Sequence, residues 1–139
     1  MVIDVDARIL GSTCFVAELP LCNLYLQNES RFPWLVLVPR QENASELIDL
    51  SMEDQQELTR EIAMISQLMK AKYSPDKLNV ANLGNIVKQL HIHVIARYES
   101  DSAWPGPVWG KFDAPLMYDG EELEIKAAEI RAELVNYAV

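Results

Sequence analysis

A chain of 139 residues with 50% apolar content can bury a core of its own without disulfides or a structural metal. Its formal charge of −9 repels phosphate backbones, which argues against broad nucleic-acid binding but still permits a small anionic substrate where cations gather. No stretch reaches the roughly 18 uninterrupted apolar residues of a membrane helix, and the opening "MVIDVDARIL" is acidic where a secretory or mitochondrial address would be basic, so a cytoplasmic location is expected.

Residues 12–27, "STCFVAELPLCNLYLQ", alternate apolar positions around Pro20 and predict two strands joined by a turn. Cys14 and Cys22 fall in this hairpin at a spacing that suits neither a zinc nor a redox pair, and they read as small core residues. After the polar turn "NESRF", the run "PWLVLVPR" predicts a strand buried on both faces. From Ser51 to Tyr73 the period changes: Leu58, Ile62, Ile65 and Met69 recur at helical spacing, Ser51 and Asp54 form a capping box, and Pro75 ends the helix. "KLNVANL" predicts another strand before a turn at Gly84, and residues 86–98 a last one. Residues 99–117, rich in Pro, Gly and Trp, predict an ordered loop tied down by its aromatics. A final helix over about 120–137 is expected, capped by Asp119 with Glu122 and burying Leu123, Ala127, Ile130 and Leu134. With few, short connections around one central helix, the pattern predicts an α+β fold on an antiparallel sheet.

Both histidines of the chain, His91 and His93, lie in "QLHIHVIAR". Alternation on a strand turns Gln89, His91 and His93 to one face and Leu90, Ile92 and Val94 to the core, with same-face neighbours about 7 Å apart. The two imidazoles admit three interpretations. They are polar groups on the solvent face of an edge strand. They are two nitrogen ligands of a metal, with Glu99 and Asp101 as the carboxylates available to complete a set. Or one is a nucleophile toward phosphorus, usable at neutral pH, while the other hydrogen-bonds the leaving oxygen and a nearby turn cradles the nonbridging oxygens.

The same run resembles the signature of the histidine triad family, in which three histidines alternate with apolar residues; here Gln89 stands at the first position, His91 at the centre and His93 at the third. "PWLVLVPR", the Ser51 helix and "LGNIV" are similar to the family's layout over most of residues 12–98, and "SDSAWPGPVWG" resembles the loop of a bacterial subgroup that also carries glutamine first. The resemblance implies one domain over 1–139: a sheet of about five antiparallel strands, one long central helix and a C-terminal helix. It implies hydrolysis of a nucleotidyl phosphoanhydride or phosphoramidate, such as a dinucleoside polyphosphate or an adenylylated small molecule, without metal or cofactor. A non-catalytic nucleotide binder is the alternative.

By position, the resemblance makes His91 the nucleophile that carries a covalent nucleotidyl group and His93 the residue that assists the leaving group. Gly84 and Asn85 fall at the phosphate turn, Asn28 near a ribose contact, and the Gln89 carbonyl where it would accept from the second nitrogen of His91 and fix its tautomer. Arg97 shares the parity of the histidines and is expected to help hold an anion, as Arg31 or Arg40 beside the apolar strand could; Lys88 has the opposite parity. Trp104 and Trp109 could stack on a base, pin the loop or fill a subunit interface. A twofold homodimer is implied by the resemblance alone.

Overall fold

The computed structural model describes residues 3–137. Its strands are β1 (Thr13–Glu18), β2 (Cys22–Gln27), β3 (Trp34–Pro39), β4 (Lys77–Ala81) and β5 (Ile92–Arg97), and its helices are α1 (Ala7–Leu10), α2 (Met52–Tyr73) and α3 (Glu122–Leu134). The strands form one sheet of order β1-β2-β3-β5-β4, antiparallel at every junction. Helix α2 carries the chain from β3 to β4, and β5 then inserts antiparallel between them, so the histidine strand lies inside the sheet rather than at its edge. All six residues of β3 are buried, as expected for a run that is apolar at every position.

Strand alternation splits the core in two. Leu35 and Leu37 of β3 and Ile92, Val94 and Ala96 of β5 face the helices, where they meet Leu58, Ile65, Leu68 and Met69 of α2 and Ala127, Ile130 and Leu134 of α3. Trp34, Val36 and Val38 of β3 and Ile95 of β5 face the other way, against Ile9, Phe32, Ala103 and Val108. Each fully buried branched side chain is worth about 1.5–3 kcal/mol relative to exposure. Ser51 caps α2 by accepting from the Asp54 N–H at 3.1 Å, and Ser74 closes it in the left-handed region (φ 46) just before Pro75.

Two expected boundaries move. The last strand begins at Ile92, and residues 82–91 are loop. The donors of this segment are spent off the ladder: the Leu90 N–H bonds the Ala44 carbonyl at 2.9 Å, and the Gln89 side chain bonds the N-terminal segment. The C-terminal helix begins at Glu122 without a side-chain cap, because Gly120 (φ 54) turns the chain between Asp119 and the helix.

Candidate active site

On the face of the sheet opposite α2 and α3, the 82–91 loop, α1 and residues 108–115 wall a cleft of about 640 Å³ with His91 and His93 in its lining. The imidazole centroids are 4.8 Å apart and the rings nearly perpendicular. Each ring is fixed by partners that can act in only one direction. A carbonyl can only accept, so the 2.7 Å contact between His91 Nδ1 and the Gln89 carbonyl puts the proton on Nδ1 and leaves the lone pair on Nε2. An indole N–H can only donate, so Trp34 Nε1 at 3.0 Å from His93 Nδ1 makes that nitrogen an acceptor. The proton of His93 then sits on Nε2, which donates to the Leu83 carbonyl at 3.3 Å.

The two imidazoles are thus opposite tautomers: one offers a lone pair, the other an N–H. Burial, reinforced by the neighbouring His91, pulls the His93 pKa down to about 4, with the Leu83 carbonyl opposing. His93 is therefore neutral at physiological pH. Trp109 closes over it edge-on, 5.0 Å from His93 and 5.6 Å from Trp34.

Gly84 and Asn85 line the cleft together with His91. At Gly84 the requirement is closeness of approach: a Cβ there would lie 2.5 Å from the Val87 carbonyl oxygen and 3.4 Å from His91 Cε1. Of the tryptophans named from the sequence, Trp109 lines the cleft, whereas Trp104 lies under the Arg97 guanidinium, 5.7 Å from ring to cation.

Two assignments are corrected. Arg97 does share the face of the histidines, but it is 1% exposed and its guanidinium is consumed by Asp101, by Asn79 Oδ1 at 2.8 Å and by the Gly106 carbonyl at 2.8 Å. It anchors the 99–117 loop instead of meeting a substrate. Asn28, just past the end of β2, is not among the residues lining the cleft and accepts from the Tyr118 N–H at 2.9 Å; its neighbour Gln27, the last residue of the strand, lines the cleft. For Gln89 the backbone carbonyl meets His91, while the side chain accepts from the Asp6 N–H at 2.7 Å and donates to the Asp4 carbonyl at 3.0 Å.

Asp101 faces Arg97 and the N–H groups of Tyr98, Ala103 and Trp104, so it cannot join the imidazoles as a ligand. Among the described residues no cluster of three metal-ligating side chains forms. Arg40 is bound to Asn23 and to the Leu19 and Pro20 carbonyls, outside the cleft. Arg31 does line the cleft, clamped to Glu29 at 2.6 Å with its guanidinium 3.5 Å from the Phe112 centroid.

Several lining residues had no signal in the sequence. Arg8 comes from α1, a single short helix capped by Asp6, and donates to the Ile86 carbonyl at 3.1 Å across the cleft mouth. Trp34 belongs to a run that reads only as buried strand. Gln27 could have been found by continuing the parity of Tyr25, which packs on the cleft face.

An open antiparallel α+β sheet thus presents two oppositely protonated imidazoles to an aromatic-walled cleft, a histidine-based site. Residues 12–100 match the HIT domain, and the chain belongs to the histidine triad family. It is similar to a histidine triad protein of Bradyrhizobium japonicum (40% identity, 94% of this chain and 97% of that one, TM-score 0.89) and to another of Marinobacter aquaeolei (40% identity, 97% and 98%, TM-score 0.90). It also matches a bis(5'-adenosyl)-triphosphatase of Saccharomyces cerevisiae, 31% identical over 70 residues, which are 47% of this chain and 34% of the yeast enzyme. The chain thus spans about a third of the length of that relative.

Proposed function

We propose that this protein hydrolyses a nucleotidyl phosphoanhydride or phosphoramidate through a covalent intermediate on His91, with a dinucleoside polyphosphate or an adenylylated small molecule as substrate. The observation that carries this reading is the pair of fixed, opposite tautomers facing one cleft. His91 Nε2 attacks phosphorus, and the P–N bond forms as the bond to the leaving group breaks. Nδ1–H, held on the Gln89 carbonyl, lets the ring take the positive charge of the adduct without losing its orientation. Water then attacks phosphorus and the P–N electron pair returns to Nε2. In this reading backbone around Gly84 and the Asn85 side chain hold the nonbridging oxygens, and Trp109 and Phe112, which also line the cleft, offer aromatic surface for a base. The family membership and the partial match to a dinucleoside triphosphatase support the same chemistry.

The test is incubation with labelled diadenosine polyphosphate followed by acid quench and intact-mass analysis. A nucleotidyl adduct on the wild type and released mononucleotide are expected, both lost in His91→Ala with an unchanged circular dichroism spectrum. Nucleotide binding without adduct or release would make the protein a binder and not a hydrolase. A cytoplasmic homodimer is part of the same proposal, and light scattering of the purified chain tests its twofold assembly.

A further inference from the structure

Trp34 is not one of the family-signature positions identified in the sequence, yet it makes the decisive contact of the second imidazole. The Trp34 indole and the His93 ring are both buried, with Trp34 8% and His93 6% exposed, and Nε1 donates to Nδ1 at 3.0 Å. The donor cannot reverse, because an indole nitrogen has no lone pair to offer. Protonating His93 at Nδ1 would break this bond and set two N–H groups against each other without water between them.

Among the other surroundings of His93, the Leu83 carbonyl favours a cation, and burial outweighs it. The register places Val36 of β3 and Ala81 of β4 beside it, and Trp109 lies over it. His91, 4.8 Å away, is the titratable group in ring contact, and the charged side chains Arg8, Glu29, Arg31 and Asp113 line the wider cleft.

We propose that Trp34 is a positioning residue that holds His93 as a neutral Nε2–H donor, and that this selects substrates whose leaving group departs as a phosphate anion over those that must leave as an amine. The inference rests on the hydrolase reading above and narrows its substrate class to phosphoanhydrides. As His91 Nε2 bonds to phosphorus, the bridging P–O bond breaks and its electron pair goes to the departing phosphate oxygen. That oxygen needs only a hydrogen bond, which His93 Nε2–H supplies by exchanging the Leu83 carbonyl for it. An amine leaving from a P–N bond must instead gain a whole proton, and a neutral imidazole locked at Nδ1 has no second proton to give. The low pKa of His93 agrees with this arrangement.

The experiment pairs long-range ¹H–¹⁵N spectra of the histidine rings with hydrolysis of a nucleoside phosphoanhydride and a matched nucleoside phosphoramidate from pH 4.5 to 8. The wild-type His93 should show a protonated Nε2 and an unprotonated Nδ1 down to pH 5, and kcat/KM should favour the anhydride by about 100-fold or more, the usual worth of a general acid. In Trp34→Phe the Nδ1 lone pair is released, so His93 should titrate at higher pH, and the preference should shrink about tenfold or more below pH 6, through kcat more than KM. A wild-type His93 that titrates near 6.5, or carries its proton on Nδ1, overturns the proposal, and this measurement needs neither turnover nor a folded variant. Equal use of both substrates by the wild type overturns the selectivity. Absence of turnover with both, alongside the expected ring spectra, would sink the hydrolase reading and the selectivity with it while upholding the role of Trp34.

Discussion

Gly84→Ala would probe the wall of the cleft with a single methyl group. The new Cβ would stand 2.5 Å from the Val87 carbonyl oxygen, a fixed backbone atom rather than the movable end of a side chain. Real Cβ atoms essentially never come within 3.0 Å of such an atom and ordinary contact begins at 3.4 Å, so the turn must open by about 0.5–0.9 Å, and the cost falls in the range of about 1–3 kcal/mol seen for overpacking. The lower half of that range is expected, since residues 82–91 lie outside the β ladder and can shift. Relief in one direction is blocked, because the methyl already touches His91 Cε1 at 3.4 Å. The displacement therefore falls on the backbone that carries Asn85 and on the ring of His91. A misplacement of about 1 Å at reacting atoms costs on the order of 100-fold in rate, whereas the stability loss should lower Tm by only about 2–8 °C, at about 2–4 °C per kcal/mol. Differential scanning calorimetry and the nucleotide hydrolysis assay would be run on the same preparation. A variant with wild-type kcat/KM, or one that loses activity only in proportion to unfolding, would refute the close approach as the reason for glycine at this position.

Two further predictions concern buried charges away from the cleft. Arg97→Met removes one member of a buried pair and orphans Asp101 together with the Gly106 carbonyl, which should cost about 3–5 kcal/mol and release the 99–117 loop, measured as a fall in the urea midpoint and as new proteolytic cuts in that loop. Glu61 of α2, 2% exposed, accepts from the N–H groups of Leu21 at 2.8 Å and Cys22 at 2.9 Å, and burial pushes its pKa up to about 7. Its folded pKa lies above its unfolded one, so the stability it contributes is complete below about pH 4.5 and is lost as pH rises through 7. Glu61→Gln should therefore gain on the wild type by on the order of 2–3 kcal/mol between pH 4.5 and 8 in urea titrations, and a constant difference across that range would contradict the assignment.

Alternation and helical spacing were enough to locate the hairpin of β1 and β2, the doubly buried β3, the long helix α2 and the apolar stripe of α3, because each of these is a local pattern whose period is imposed by backbone geometry. Within β5 the same alternation turns His93 away from the helix-side core, whereas His91 reaches the cleft from the loop before the strand, and the carbonyl of Gln89 could be matched to His91 because a backbone group is present whatever the side chain. What alternation could not supply was partnership. Arg97 has the parity of a ligand-binding residue, yet its charge is met by Asp101, four residues on, and by Gly106, through a fold of the loop that no period encodes.

Asn28 and Gln27 differ by one position; the parity of Tyr25 carries on to Gln27, while Asn28 lies just past the end of β2 and is taken up by the Tyr118 N–H, a contact 90 residues away. Trp34 was legible as apolar bulk in a buried strand; that its N–H meets His93, 59 residues away, depends on the sheet order that places β5 beside β3. The sequence by itself determined which faces are apolar and where the imidazoles stand. The tertiary structure alone decided their tautomers and the cleft around them, because hydrogen bonds between distant segments are set by three-dimensional register and leave no trace in local periodicity.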